Sequence, residues 1–127
     1  MAGESEWGAL DSVDLTGANL RGLDLRGRNL RKANLTDANL EGANLHNADL
    51  KAAVLSNANL SGANLNKASL ELAILLDANL DQANLWNANL ADANLSSCIV
   101  LLIETMSCGC GSRSKKLTRR LSVGRFR

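Results

Sequence analysis

Leu occupies every fifth position from Leu10 to Leu95 without a break. Two residues before the Leu there is usually a small Ala, unbroken from Ala33 to Ala93, and the residue just before the Leu is Asn or Asp in most of the pentads. A period of five suits neither regular structure. On an α-helix five residues advance about 500°, so the Leu row would wind around every face. On a straight strand an odd spacing puts successive Leu residues on opposite faces. A chain that needs all of these side chains inside must bend once per pentad. Each pentad then sends two residues inward, Ala and Leu, and three outward. Bends repeated in one direction make a coil, and stacked coils pair their backbones at about 4.8 Å per layer. The small Ala is what a narrow interior requires. Gly17, Gly22, Gly27, Gly42 and Gly62 all fall at the pentad corner, where a tight turn favours Gly.

The run "ANLTDANLEGANLHNADL", residues 33–50, repeats the pattern A-(D/N)-L-x-x pentad after pentad. It resembles the pentapeptide-repeat family, and the resemblance covers roughly residues 8–100. It implies an all-β fold: a right-handed, four-sided (quadrilateral) β-helix with four pentads, or twenty residues, per coil. On that basis the eighteen pentads make about four and a half coils, a rod roughly 20 Å long. The chain then divides into an N-terminal cap, 1–7, with Trp7 as the plug; the β-helix, 8–97; a cap or contact segment, 98–110; and an extended basic tail, 111–127.

Departures from the pattern are the places to look for function. With twenty residues per coil, residues twenty apart stack. Asn19, Asn39, Asn59 and Asn79 then form a column expected to act as an amide ladder, and Thr16, Thr36 and Ser56 a hydroxyl column. Leu23 and Arg28 stand in the Ala slot of the N-terminal coil. An arginine cannot be buried there unpaired, and Gly8 one layer below leaves it a route to solvent. Arg21, Arg26, Arg28, Arg31 and Lys32 make a basic band, a solvated edge coil or an anion contact. In "KASLELAILLDANL", residues 67–80, three extra apolar residues crowd between the regular Leu positions. Ile74 stacks on Val54, Leu76 follows on the same face, and Leu72 sits at the adjoining corner. These four are expected to form one outward apolar patch, and a clustered patch marks an interface. Trp86, outward on the last face, is a second candidate contact.

After Leu95 the register fades. In register Ile99, Leu101 and Leu102 point outward, as a fold-over cap or a contact with another chain. Members of the family dimerise through this end, so the resemblance leaves a homodimer open. Residues 111–127 carry seven basic residues (Arg113, Lys115, Lys116, Arg119, Arg120, Arg125 and Arg127) and no acid. The rest of the repeat is net negative, so the tail is a separate module in charge terms, and it lacks the apolar content to fold alone. It suits an acidic protein surface, nucleic acid or an anionic membrane. "RRLSV" places a basophilic-kinase pattern at Ser122.

Composition narrows the function. The whole chain has a net charge of +1, which names no partner. There is one His, no nucleophile–base pair at useful spacing and no glycine-rich phosphate loop, so no enzyme, cofactor or small-molecule substrate is expected. Cys98, Cys108 and Cys110 are too few for a four-ligand zinc site with His46 far off, so no metal is expected. The N-terminus shows no basic n-region or apolar h-region, and the longest apolar run, Cys98 to Ile103, is far short of a membrane span. A cytoplasmic protein with reduced thiols is the expectation. The best reading is a non-enzymatic structural or interaction protein. It is a rigid rod that docks through the apolar patch and the basic tail into a larger protein assembly. Because the family is abundant in cyanobacteria, a linker-like subunit of a cyanobacterial complex such as a light-harvesting antenna is the concrete version. Two alternatives stand beside it. One is a DNA mimic inhibiting a type II topoisomerase, as quinolone-resistance members of the family do. Against it, the column Asp11, Arg31, Lys51, Glu71 mixes signs. The other is nucleic-acid binding by the tail, which lacks interleaved aromatics.

Overall fold

The computed structural model describes residues 10–100 and 124–126. Trp7, Leu101, Leu102, Cys108, Cys110, Ser122 and the basic residues Arg113, Lys115, Lys116, Arg119, Arg120 and Arg127 lie outside the described residues.

Every pentad folds in the same way. The two residues after a Leu turn the chain, and the next residue's amide closes the turn, as in Val13 N–H to Leu10 O at 3.2 Å and Ala33 N–H to Leu30 O at 3.1 Å. The second turn residue takes a positive φ near 60–70° at every corner from Ser12 to Ser97. A positive φ at the third position of a four-residue turn is the type II geometry. Five corners supply Gly, such as Gly17 at φ 70°, and the other thirteen hold a side-chain-bearing residue in the left-handed region. Most of those are Asn, Asp, Ser, Lys or Gln; Leu72, at φ 62°, is the one large apolar residue among them.

Between turns three residues are extended, and the middle one forms a parallel bridge with the residue twenty further on: Asp14 with Asn34, Asn19 with Asn39, Asp24 with Asn44, Asn29 with Asp49, and so on to Asn79 with Ile99. A register of twenty with a turn every five makes four sides per coil. Each rung is bonded to the next, for example Leu15 N–H to Asn34 O and Asn34 N–H to Val13 O, both at 2.8 Å. The backbone polar groups of a thin rod are thereby paired along its axis rather than within a coil.

The interior is the Ala and Leu columns. Leu35 to Leu85 are fully shielded, as are the Ala residues between them. Burying a Leu is worth about 1.5–3 kcal/mol, so the row supplies the main driving force against chain entropy. At the N-terminal end the shield is incomplete: Leu10, Val13, Leu15, Ala18 and Leu23 are only half-buried. At the other end the register continues through Cys98, which fills the Ala slot, fully buried, with its Sγ 2.8 Å from Leu75 O. Cys98–Val100 form strand β1, and Gly124–Phe126 form strand β2, which pairs antiparallel with it. The end of the tail therefore returns to the last rung instead of continuing outward.

Candidate functional site

The outward middle residue of each pentad decides how the following turn is held. When it is Asn or Asp, its side-chain oxygen accepts the N–H two residues on. Examples are Asn39 to Glu41 N at 3.0 Å, Asn79 to Asp81 N at 2.9 Å and Asn84 to Trp86 N at 3.0 Å. This corrects the expected ladder of Asn19, Asn39, Asn59 and Asn79. Their oxygens serve their own turns, at Arg21, Glu41, Ser61 and Asp81. An amide bond between layers does occur elsewhere, from Asn64 Nδ2 to Asn44 Oδ1 at 3.3 Å. The hydroxyls of Thr16 and Thr36 likewise bond back to Asp14 and Asn34, at 2.6 Å, rather than along their column.

Val54 and Ile74 have no such acceptor to offer the turns that follow them. They bridge directly to each other, one coil apart, on the side that also carries Asp14, Asn34 and Asn94. Ile74 and Leu76 are exposed, each at 37%, and Leu72 at 49%. Leu72 stands at the corner before this side and Leu76 at the corner after it, so the three span one whole side, with half-buried Val54 below. Each departure has a cost. Ile74 gives up a turn hydrogen bond, about 0.5–1.5 kcal/mol. Leu72 holds a large side chain in the left-handed region, about 1–2 kcal/mol. None of these side chains is shielded by the chain as the inward Leu residues are. Ile99 is exposed on the adjoining side, in the next coil, outward of its bridge to Asn79. Trp86, 45% exposed, lies two sides away from Leu76 and is not part of this cluster.

Charges flank the patch unevenly. Lys51 Nζ lies 2.6 Å from Glu71 Oε1, at the corner next to Leu72, and this contact holds the Glu71 carboxyl below its usual range. Beyond it, residues 71–97 contain Glu71, Asp77, Asp81 and Asp92 and no Lys or Arg.

The basic band is largely neutralised. Arg21 pairs with Glu41 at 3.0 Å and Arg31 with Asp49 at 3.2 Å. Arg26 grips Asp24 through two bonds of 2.8 Å, which push the Asp24 carboxyl down to about 2. Lys32 is exposed. Arg28 is half-buried, and its Nε has no acceptor. It lines an open recess of about 520 Å³ with Asp24, Arg26, Gly27, His46 and Asn47. The recess carries no nucleophile–base pair.

Among the described residues no group of His, Cys, Asp and Glu is placed to hold a metal ion, and no helix is long and apolar enough to cross a membrane. Burial raises the Cys98 thiol to about 12, so this Cys is a small core residue, protonated at neutral pH. Sequence reasoning placed Ile99 correctly as outward-facing but missed the partner of its strand. Nothing in "VGRFR" marks residues 124–126 as the strand that would come back to it. The ion pairs Arg21–Glu41 and Lys51–Glu71 were readable, since each joins residues twenty apart.

The family profile described as Pentapeptide repeats matches residues 10–47, 33–71 and 73–100, in eight copies. No curated protein matches the chain. Among solved structures, a pentapeptide repeat protein from the Arabidopsis thaliana thylakoid lumen is 27% identical, with a TM-score of 0.74 over 89% of this chain and 75% of that one. Rfr23, a pentapeptide repeat protein from the cyanobacterium Cyanothece 51142, is 38% identical, with a TM-score of 0.69 over 76% of this chain. The chain spans 64% of the length of Rfr23. These likenesses carry the fold of the family, the right-handed β-helix.

Proposed function

The chain belongs to the pentapeptide-repeat family, and we propose that it acts as a non-enzymatic interaction rod, docked into a larger protein assembly through the side that bears Leu72, Ile74 and Leu76. The observation that carries this reading is the cost of that side. Ile74 gives up the turn acceptor used elsewhere on the rod, Leu72 holds a large side chain at a left-handed corner, and both, with Leu76, end as exposed apolar side chains. Scattered surface apolar residues need no explanation, but a contiguous set bought with local stability does. The basic tail is a second contact element in this reading, suited to an acidic surface. In this reading the rod has about four and a half coils, residues 98–110 are a cap or contact segment, residues 111–127 are an extended basic tail, and the setting is cytoplasmic. A linker-like role in a cyanobacterial complex is in keeping with the likeness to Rfr23. Mimicry of DNA is less well supported, because Lys51 and Arg31 interrupt the carboxylate column and are themselves paired to Glu71 and Asp49.

The test is a triple replacement, Leu72→Gln, Ile74→Asn and Leu76→Ser, which restores the ordinary pentad. The rod should melt near the parent temperature, each change costing less than about 0.5 kcal/mol. Capture of a partner should fall at least tenfold, since such side chains occupy the desolvated centre of a contact. A collapse of melting temperature with capture untouched would place the patch inside the chain's own fold.

A further inference from the structure

Arg28 is out of keeping with the rod around it. It stands in the slot that holds Ala48, Ala68 and Ala88 in the later coils. Among the described residues Arg21, Arg26 and Arg31 each hold a carboxylate, whereas Arg28 holds none and its Nε has no acceptor. The carboxylate beside it, Asp24, is already occupied: Arg26 takes both oxygens, Nε to Oδ1 and Nη2 to Oδ2, at 2.8 Å each. Arg28 acts on that carboxyl through space only. What it meets instead is the open recess of about 520 Å³. Gly27 leaves the corner of the rod bare there, and a Cβ at that point would meet nothing within 4 Å. The corner of the next coil, bonded through Gly27 N–H to His46 O at 2.9 Å, brings His46 and Asn47 to the same recess.

We propose that this recess binds a phosphate group, with Arg28 as the anchoring cation and His46 and Asn47 as further donors. Charge favours an anion. Two arginines against one aspartate leave the lining positive even with His46 neutral. Arg26 and Asp24 neutralise each other, so the surplus charge rests on Arg28. The donor set favours phosphate over carboxylate. A planar carboxylate is satisfied by one guanidinium edge, as Asp24 is by Arg26. Here a guanidinium, an imidazole N–H and an amide group come from two successive coils, which suits oxygens that point in several directions. Size sets no bar, since one water takes up only about 30 Å³. The position itself also calls for a ligand. An unmet donor in an Ala slot opposes folding, so Arg28 is explained by what it can hold rather than by the rod it weakens. The recess lies at the corner diagonally across the rod from Leu76, towards the N-terminal end, so it is independent of the docking side.

The test is an amide NMR titration of the isotope-labelled full chain with inorganic phosphate, at neutral pH and at an ionic strength held constant with sodium chloride. Saturable shifts are expected at Gly27, Arg28, His46 and Asn47, with a Kd below about 10 mM. In Arg28→Ala, which places the residue of the later coils and should keep the folded spectrum, affinity should fall about tenfold or more. Arg28→Lys keeps the charge but not the fork, and should lose about threefold or more. Glycerol phosphate separates the sources: tighter binding than phosphate supports a phosphate monoester as the ligand, and equal or weaker binding supports the free ion. Acetate binding as tightly as phosphate would overturn the assignment to phosphate. Shifts that grow without saturating, or that are as large at Lys32 and Lys67, would reduce the effect to screening of surface charge and overturn the site. Undiminished binding in Arg28→Ala would overturn Arg28 as its anchor.

Discussion

Between Leu10 and Lys32, Arg21, Arg26 and Arg31 are tied to carboxylates, and the interior is half-open around Leu15 and Leu23. Between Glu71 and Ser97 the interior is sealed, no Lys or Arg occurs, and the outward positions carry Leu72, Ile74, Leu76 and Trp86. The two regions share one backbone, with the same turns and the same twenty-residue register. The comparison separates two tasks. The inward columns hold the rod together, so wherever they are regular the outward positions are free to vary in charge or polarity. Around the irregular slot at Arg28 the exterior carries ion pairs that are exposed and individually weak.

The sharpest way to break this comparison is to charge the sealed interior. Leu60 is fully buried between Ala58 and Ala63, and Leu60→Asp should unfold the middle coils, a loss beyond about 4 kcal/mol in denaturant titration. Leu15→Asp, at the half-open end, should cost less than half as much. A stable, soluble Leu60→Asp rod would mean that inside and outside are assigned wrongly.

A smaller effect, of opposite sign, is expected at the irregular slot. Arg28→Ala restores the residue found there in every later coil and removes an Nε–H that has no acceptor. Stability should rise by about 1–2 kcal/mol. A fall would show that Arg28 is paired by something outside the described residues.

On the C-terminal side, Leu72→Gly should relieve the left-handed strain at φ 62°. The gain is about 0.5–1 kcal/mol, part of the relief being cancelled by the entropy of an unfolded Gly. Partner capture should weaken in the same variant. Stability up and capture down together would separate this residue's two roles; a destabilised Leu72→Gly would mean that the side chain is packed.

The smallest effect concerns acid. Asp14, Asp24 and Glu71 all have folded pKa values lowered by hydrogen bonds, from Thr16, Arg26 and Lys51 respectively. A lowered folded value means that the unfolded chain takes up protons first as pH falls. The stabilisation is complete at neutral pH and is lost below about 4, down to about 2 for Asp24. Melting temperatures between pH 5 and pH 2 should decline, and Asp24→Asn should flatten part of that decline. Asp14 and Asp24 are exposed and Glu71 is half-buried but in contact with water, so the change is modest and shrinks with added salt.

Much of this protein was settled by its sequence alone. The unbroken Leu and Ala columns fix what is inside, because a period of five is compatible with burial only if the chain turns at every pentad. The same period places Val54 under Ile74 and marks Leu72, Ile74 and Leu76 as outward once the coil length is known, and that length came from a resemblance rather than from the period. Other features were decided only when the chain was folded. The Asn side chains could have bonded along their columns or into their own turns, and only the backbone geometry, which points each turn N–H at the preceding Asx oxygen, selects the second. Arg28 is half-buried and lines an open recess, yet its Nε is left buried without an acceptor, which no spacing rule foretells. The return of Gly124–Phe126 to Cys98–Val100 was invisible in a tail that reads as basic and polar. A three-residue strand has no periodic signature, and its pairing is a property of the open edge it meets, which exists only after the last coil has formed.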